Sequence, residues 1–146
     1  MSTSSVNSRL ALVAAAIAIA ACGKGGDAAA GKTFTIAMIA KSSTNPVFLS
    51  GRQGAEAAAA ELSKKHGMTV KIDWLTPPNE DASVQSQRIS EAVNSGANAI
   101  LLSSSDANKV RGAVDEAANR GVPVMTFDSD VPDSRRFSFY GGDDVK

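Results

Sequence analysis

From Phe34 to Tyr140 the chain alternates short apolar runs with longer stretches in which apolar residues recur at helical spacing. Phe34-Thr35-Ile36-Ala37-Met38-Ile39-Ala40 is apolar on both alternating sides, the pattern of a central parallel strand with helices on each face. Asn45-Pro46 then predicts a helix start, with Asn as N-cap and Pro at the first helical position. This first helix should run from about Pro46 to Lys65. Phe48, Gly51, Ala55, Ala58, Ala59 and Leu62 give it a narrow stripe of mostly small residues, which lets it lie close on a sheet. Gly67 supplies a left-handed stop, and His66 beside it sits at the negative end of the helix dipole as a surface capping residue.

Met68, Val70, Ile72 and Trp74 alternate with Thr69, Lys71 and Asp73, so the second strand is half exposed and belongs at an edge. Trp74 shares parity with the apolar set and reads as core, with a ligand-stacking platform as the other reading. After Pro77-Pro78-Asn79-Glu80-Asp81, a second helix is predicted over Ala82 to Asn94, with Gly96 as its stop. Ala99 to Leu102 is a second fully buried strand. Val110, Ala113, Val114, Ala117 and Ala118 mark a third helix closed by Gly121, and strands follow at Val122 to Phe127 and Phe137 to Tyr140. Such regular alternation with short connections predicts an α/β fold, an open parallel sheet with helices on both faces. An edge second strand beside buried first and third strands fits the order 2-1-3-4-5.

Three polar bursts, Lys41 to Asn45, Ser103 to Asp106 and Asp128 to Asp130, then fall at carboxyl ends of strands and converge on one rim. Open α/β sheets bind ligands along that rim. All three can exchange hydrogen bonds with hydroxyls, and apart from Lys41 they are uncharged or acidic. The alternative for the first of them is that it supplies only solubility and a helix cap.

The amino terminus changes the picture of where this domain works. A polar segment containing Arg9 precedes twelve uninterrupted apolar residues, Leu10 to Ala21, too short for a bilayer span but right for a secretory signal. The single cysteine, Cys22, follows Ile19-Ala20-Ala21 and resembles a bacterial lipobox, which implies cleavage before Cys22 and lipid on the new N-terminus. The competing reading is a stray buried thiol, although a lone cysteine in an exported chain has no disulfide partner. Residues 1–21 are thus expected to be a lipoprotein signal peptide, residues 22–32 a Gly/Ala-rich tether, and 33–146 the folded part. The expected location is the periplasm or cell surface, on a lipid anchor.

Composition excludes several function classes. The 146 residues suit one domain, and 43% hydrophobic content allows a proper core. Fifteen basic and fifteen acidic residues cancel, and without Arg9 the net charge is −1. No basic stripe suggests nucleic acid as a partner. The sequence has no Gly-rich phosphate loop after the first strand, no Gly-x-Ser-x-Gly elbow and no Cys/His cluster, and its one histidine ends a helix. These absences argue against an enzyme and give no sign of a cofactor or metal. The acid pairs Asp128/Asp130 and Asp143/Asp144 read as loop caps and ligand acceptors, not as a general acid and base.

Asn45-Pro46-Val47-Phe48, Ala99-Ile100-Leu101-Leu102-Ser103-Ser104-Ser105-Asp106 and Val122-Pro123-Val124-Met125-Thr126-Phe127-Asp128-Ser129-Asp130 together resemble the amino-terminal lobe of periplasmic sugar-binding proteins of the ribose-binding type. Tyr140-Gly141-Gly142-Asp143-Asp144 is similar to that family's first interlobe crossover. The resemblance covers nearly all of Thr33 to Lys146. It implies two α/β lobes that close on a sugar and hand it to an ABC permease, the second lobe lying outside this chain, so the chain reads as a fragment or a truncated product. It also implies that Asn45, Phe48 and Asp128 touch the sugar, and the candidate ligand set on the rim is Asn45, Phe48, Ser104, Asp106, Asp128, Ser129 and Asp130. Val47 stands where many members have a second aromatic, and Ser129 where the ribose binders have Arg. The resemblance therefore points to a sugar or similar polyhydroxylated molecule other than ribose. A monomeric protein is expected, with the membrane reached through the lipid anchor. A binding protein reporting to a sensor kinase or chemoreceptor is the alternative to transport.

Overall fold

The computed structural model describes residues 31–142. Cys22, the signal segment and most of the tether lie outside the described residues, as do Asp143 and Asp144. Five strands and three helices alternate in order: β1 (Thr33–Ile39), α1 (Pro46–His66), β2 (Thr69–Trp74), α2 (Ala82–Asn94), β3 (Ala99–Leu102), α3 (Ala107–Asn119), β4 (Val124–Phe127) and β5 (Ser138–Tyr140). All strand pairs are parallel, in the order β2-β1-β3-β4-β5. The expected α/β sheet and its strand order are therefore what the chain forms.

Local chemistry sets the ends of these elements. Asn45 caps α1 by accepting the Val47 N–H at 2.9 Å, with Pro46 as the first helical residue. Asp81 and Asp106 cap α2 and α3 in the same way. Gly67, Gly96 and Gly121 carry positive φ just past the three helices, where a side chain would strain the reversal. The fourth strand begins at Val124, two residues later than its hydropathy predicts. Val122 N–H still bonds back to Ala117 at the end of α3, and Pro123 has no N–H to give the ladder.

The two faces of the sheet are covered differently. Ala37, Ile39, Ile100, Leu102 and Val124 point to one side, where Ile89, Ala92 and Val93 of α2 and Val110, Val114 and Ala117 of α3 complete the core. Strand alternation sends Ile36, Leu101 and Met125 the other way. On that side Ala55, Ala58, Ala59 and Leu62 of α1 and Ile36, Val70, Ile72 and Leu101 of the sheet line a cleft of about 200 Å³. The small-residue stripe thus faces the sheet without closing on it, and of the stripe only Phe48 and Ala59 are buried. Beyond α1 the same face is open, as a groove of about 250 Å³ lined by Ile36, Leu101, Pro123, Met125 and Phe137. Trp74 is half buried, with the Arg52 guanidinium 5.4 Å from its ring centroid. Its apolar body packs while one face meets a cation.

Candidate ligand-binding site

The loop after β1 is fastened before it reaches α1. Ala40 N–H donates to Thr76 Oγ1 at 2.7 Å, Ser43 N–H to the Pro77 carbonyl at 2.8 Å, and Ser42 Oγ to the Pro78 carbonyl at 2.8 Å. The segment after β2 thus acts as a brace for the first polar loop. Ser103 N–H donates to the Ile39 carbonyl, which brings the end of β3 beside that of β1, and Ser104 N–H donates to the Ser129 carbonyl, which joins it to the end of β4. The three polar bursts do meet on one rim.

Asp128 is where they converge. Its Oδ2 accepts from Ser103 Oγ at 2.8 Å and Ser129 Oγ at 3.3 Å, and pairs with Lys41 Nζ at 3.2 Å. Its backbone sits at φ 59°, in a three-residue turn closed by Ser129 N–H donating to the Phe127 carbonyl at 2.6 Å. Partial burial pushes the carboxyl's pKa up, but the Ser103 hydroxyl, the Lys41 ammonium and the Ser129 hydroxyl together outweigh it and hold the group below its ordinary value. The carboxylate is thus kept ionised while its side chain stays 48% exposed, open to further hydrogen bonds. Phe127, Asp128, Tyr140, Gly141 and Gly142 line an open depression of about 400 Å³ beside it.

The other expected site residues hold different positions. Asp130 is engaged inward: Arg136 grips it through two bonds of 2.5 and 2.8 Å, and Thr126 Oγ1 donates to it at 2.5 Å. Burial raises its pKa, and Arg136, Thr126 and the Val131 N–H lower it by more. Ser104 is 4% exposed, and its hydroxyl is buried without a partner among the described residues. Strand alternation turns it to the helix-covered side, and what it gives the rim is its backbone bond to Ser129. Asp106 accepts two amides of α3, at 3.0 and 3.2 Å, which is a capping role. Asn45 has its Oδ1 committed to Val47 N–H and keeps its side-chain amide donors. Phe48 is only 7% exposed, so little of its ring can cover a sugar, whereas Tyr140 at the rim is 74% exposed.

Two residues of the site escaped the sequence reading of ligand contacts. Lys41 was visible as the one cation among the polar bursts, and a lone ammonium facing an acidic loop is the signal that identifies it. Ser103 is buried and shares parity with Leu101, and only the placement of Asp128 shows which side of the strand end matters.

Comparison with known proteins agrees with this arrangement. Residues 36–146 match the periplasmic binding protein domain family. The chain is 31% identical over 115 residues to the ribose import binding protein RbsB of Bacillus subtilis (strain 168), an alignment covering 79% of this chain and 35% of that protein. It therefore spans about a third of that relative's length. Among solved structures, LsrB from Clostridium saccharobutylicum in complex with AI-2 superposes with a TM-score of 0.62 at 37% identity, over 73% of this chain and 31% of that one. A sugar-binding protein of a sugar ABC transporter from Bacillus halodurans gives a TM-score of 0.66 at 25% identity, over 75% and 36% of the two chains. A parallel sheet in this order, a polar rim built on its strand ends and the match over residues 36–146 lead to one conclusion: the chain belongs to the periplasmic binding protein family.

Proposed function

We propose that this chain is the amino-terminal lobe of an extracytoplasmic lipoprotein that captures a sugar or similar polyhydroxylated molecule between two lobes and delivers it to an ABC permease. The observation that carries the reading is Asp128, an ionised and half-exposed carboxylate fixed at the strand-end rim by Ser103, Lys41 and Ser129. A carboxylate accepts two hydroxyls at once, and such charge-assisted bonds are the stronger kind. Lys41 pairs with it and retains ammonium hydrogens for a ligand oxygen. That the similar proteins include a ribose import binding protein, a protein solved with AI-2 and a sugar ABC transporter component supports a small, oxygen-rich ligand.

The second lobe would come from chain beyond residue 146, since the relatives are about three times as long as their aligned part. Cys22 would carry the lipid. Calorimetry of the two-lobed protein against pentoses, hexoses and AI-2 tests the function: at least one should bind with micromolar affinity, and silence across the panel would remove the reading. Labelling with a lipid precursor tests the anchor, because a Cys22→Ala protein that still took up label would exclude it.

A further inference from the structure

Gln85 is fully buried in the first turns of α2, on the helix-covered side of the sheet. Its side-chain amide is used in three directions. Nε2 donates to the Ala40 carbonyl at 3.0 Å and to the Ser103 carbonyl at 2.8 Å, while Oε1 accepts from Ser105 N–H at 2.8 Å. An uncharged primary amide is the side-chain group that joins two donors and an acceptor in one plane.

The two carbonyls lie at the ends of β1 and β3, where backbone pairing gives out. Ser103 N–H still reaches the Ile39 carbonyl, while Ala40 N–H faces the other neighbour and donates to Thr76 just past β2. Gln85 supplies the next link between the two strand ends. Each carbonyl also belongs to, or directly precedes, a residue that holds Asp128: Lys41 follows Ala40, and Ser103 donates its own hydroxyl. One amide therefore sets the spacing between the two side chains that meet on the carboxylate. We propose that Gln85 is a positioning residue of the ligand site, holding the backbone at Ala40 and Ser103 so that Lys41 and Ser103 converge on Asp128. Its value for binding rests on the reading of Asp128 as the ligand's acceptor, but the geometric role can be tested without any ligand.

The measurement is a carboxyl NMR titration of Asp128 in the 146-residue chain. Lys41 and the hydroxyls of Ser103 and Ser129 are the groups bonded to that carboxylate, and Asp130 nearby is occupied by Arg136. Gln85→Met keeps the length of the side chain and removes all three hydrogen bonds. It is expected to move the Asp128 midpoint up toward its ordinary value, and to add little further shift to a Lys41→Met background. Ile89→Val, one turn along the same helix, is the control that lowers the melting temperature without touching the titration. A Gln85→Met protein that melts early but titrates as the wild type would overturn the proposal.

If that variant does not fold, the wild type answers the same question. The Gln85 side-chain amide resonances should shift as Asp128 titrates, and the response should shrink in Ser103→Ala; an amide signal blind to Asp128 also overturns the proposal. Failure of every sugar to bind would remove the proposed function and leave these titrations unaffected, so the two ideas fail separately.

Discussion

Lys41 Nζ lies 3.2 Å from Asp128 Oδ2, across the rim between the end of β1 and the end of β4. The pair joins two loops 87 positions apart in sequence, and a ligand oxygen arriving there meets an ammonium and a carboxylate together. An exposed pair of this kind adds only about 0.2–1 kcal/mol to folding. Its larger effect should be on binding.

Asp128→Asn keeps an oxygen for Ser103 and removes the charge. Hydrogen bonds to a charged group contribute about 1.5–3 kcal/mol each. Losing two should weaken sugar binding by the two-lobed protein roughly a hundredfold or more, at about 1.4 kcal/mol per tenfold. The melting temperature should move little. A variant that binds normally but melts early would show that Asp128 serves the turn alone.

Lys41→Met removes the ammonium and keeps the aliphatic stem. The Asp128 titration should move up, because one of the groups holding the carboxylate ionised is gone. Ligand affinity should fall about tenfold, by roughly 1.4 kcal/mol. Unchanged affinity in calorimetry would confine Lys41 to a structural pair.

Acid should destabilise the lobe in a defined window. Asp128 and Asp130 both titrate below their ordinary value of 3.8 in the folded chain, so the stability they supply is complete above that value and is lost as pH falls through the folded midpoints. Urea midpoints should stay level from neutral pH to about pH 5 and fall below about pH 4, where unfolded carboxylates bind protons more readily than folded ones. Asp130→Asn should flatten that fall; an equal slope would assign it to other carboxyls.

Ile100 is fully buried between the two helices and the sheet. Ile100→Ala should cost about 2–5 kcal/mol, the range for truncating a buried aliphatic residue. Chemical denaturation measures it, and a loss below 1 kcal/mol would mean that α2 and α3 close over the cavity.

The 146-residue chain alone should bind its sugar weakly, because good sites enclose about 70–90% of a ligand and one rim covers a single side. A dissociation constant near 1 mM or weaker is expected, equivalent to roughly 4 kcal/mol or less. Micromolar binding by this chain alone would argue against the two-lobed reading.

The sheet order was legible because burial writes itself into hydropathy. Ile36 to Ile39 and Ile100 to Leu102 are unbroken apolar runs, although β3 is fully buried only on the α2/α3 side and Ala99 and Leu101 stay half-buried beside the open groove, while Val70, Ile72 and Trp74 alternate at an edge. Helix ends were legible for a local reason, since Asn45, Asp81, Gly67 and Gly121 act on neighbours within a few residues. The site was legible only in outline. The polar loops announced the rim, but whether a hydroxyl faces it depends on strand parity, which separates Ser103 from Ser104, and on partners far away in the chain. Asp106 and Asn45 look the same in sequence whether they cap a helix or meet a ligand. Gln85, a polar residue on a helix face, gave no sign of what it would bridge.

Asp128 is the only residue other than glycine with positive φ among the described residues. Such backbone costs on the order of 1–3 kcal/mol, toward the lower end for Asp, which tolerates it better than most. Glycine would occupy the same turn without that strain, offset by about 0.5–1 kcal/mol of extra chain entropy in the unfolded state. The turn's backbone therefore gives no strong reason to keep a carboxylate there, and what the carboxylate adds to folding is its bonds to Ser103, Ser129 and Lys41. In a laboratory population selected for heat resistance alone, this position should drift toward asparagine, which tolerates the turn and keeps an oxygen for Ser103; under selection for growth on the captured solute it should stay aspartate.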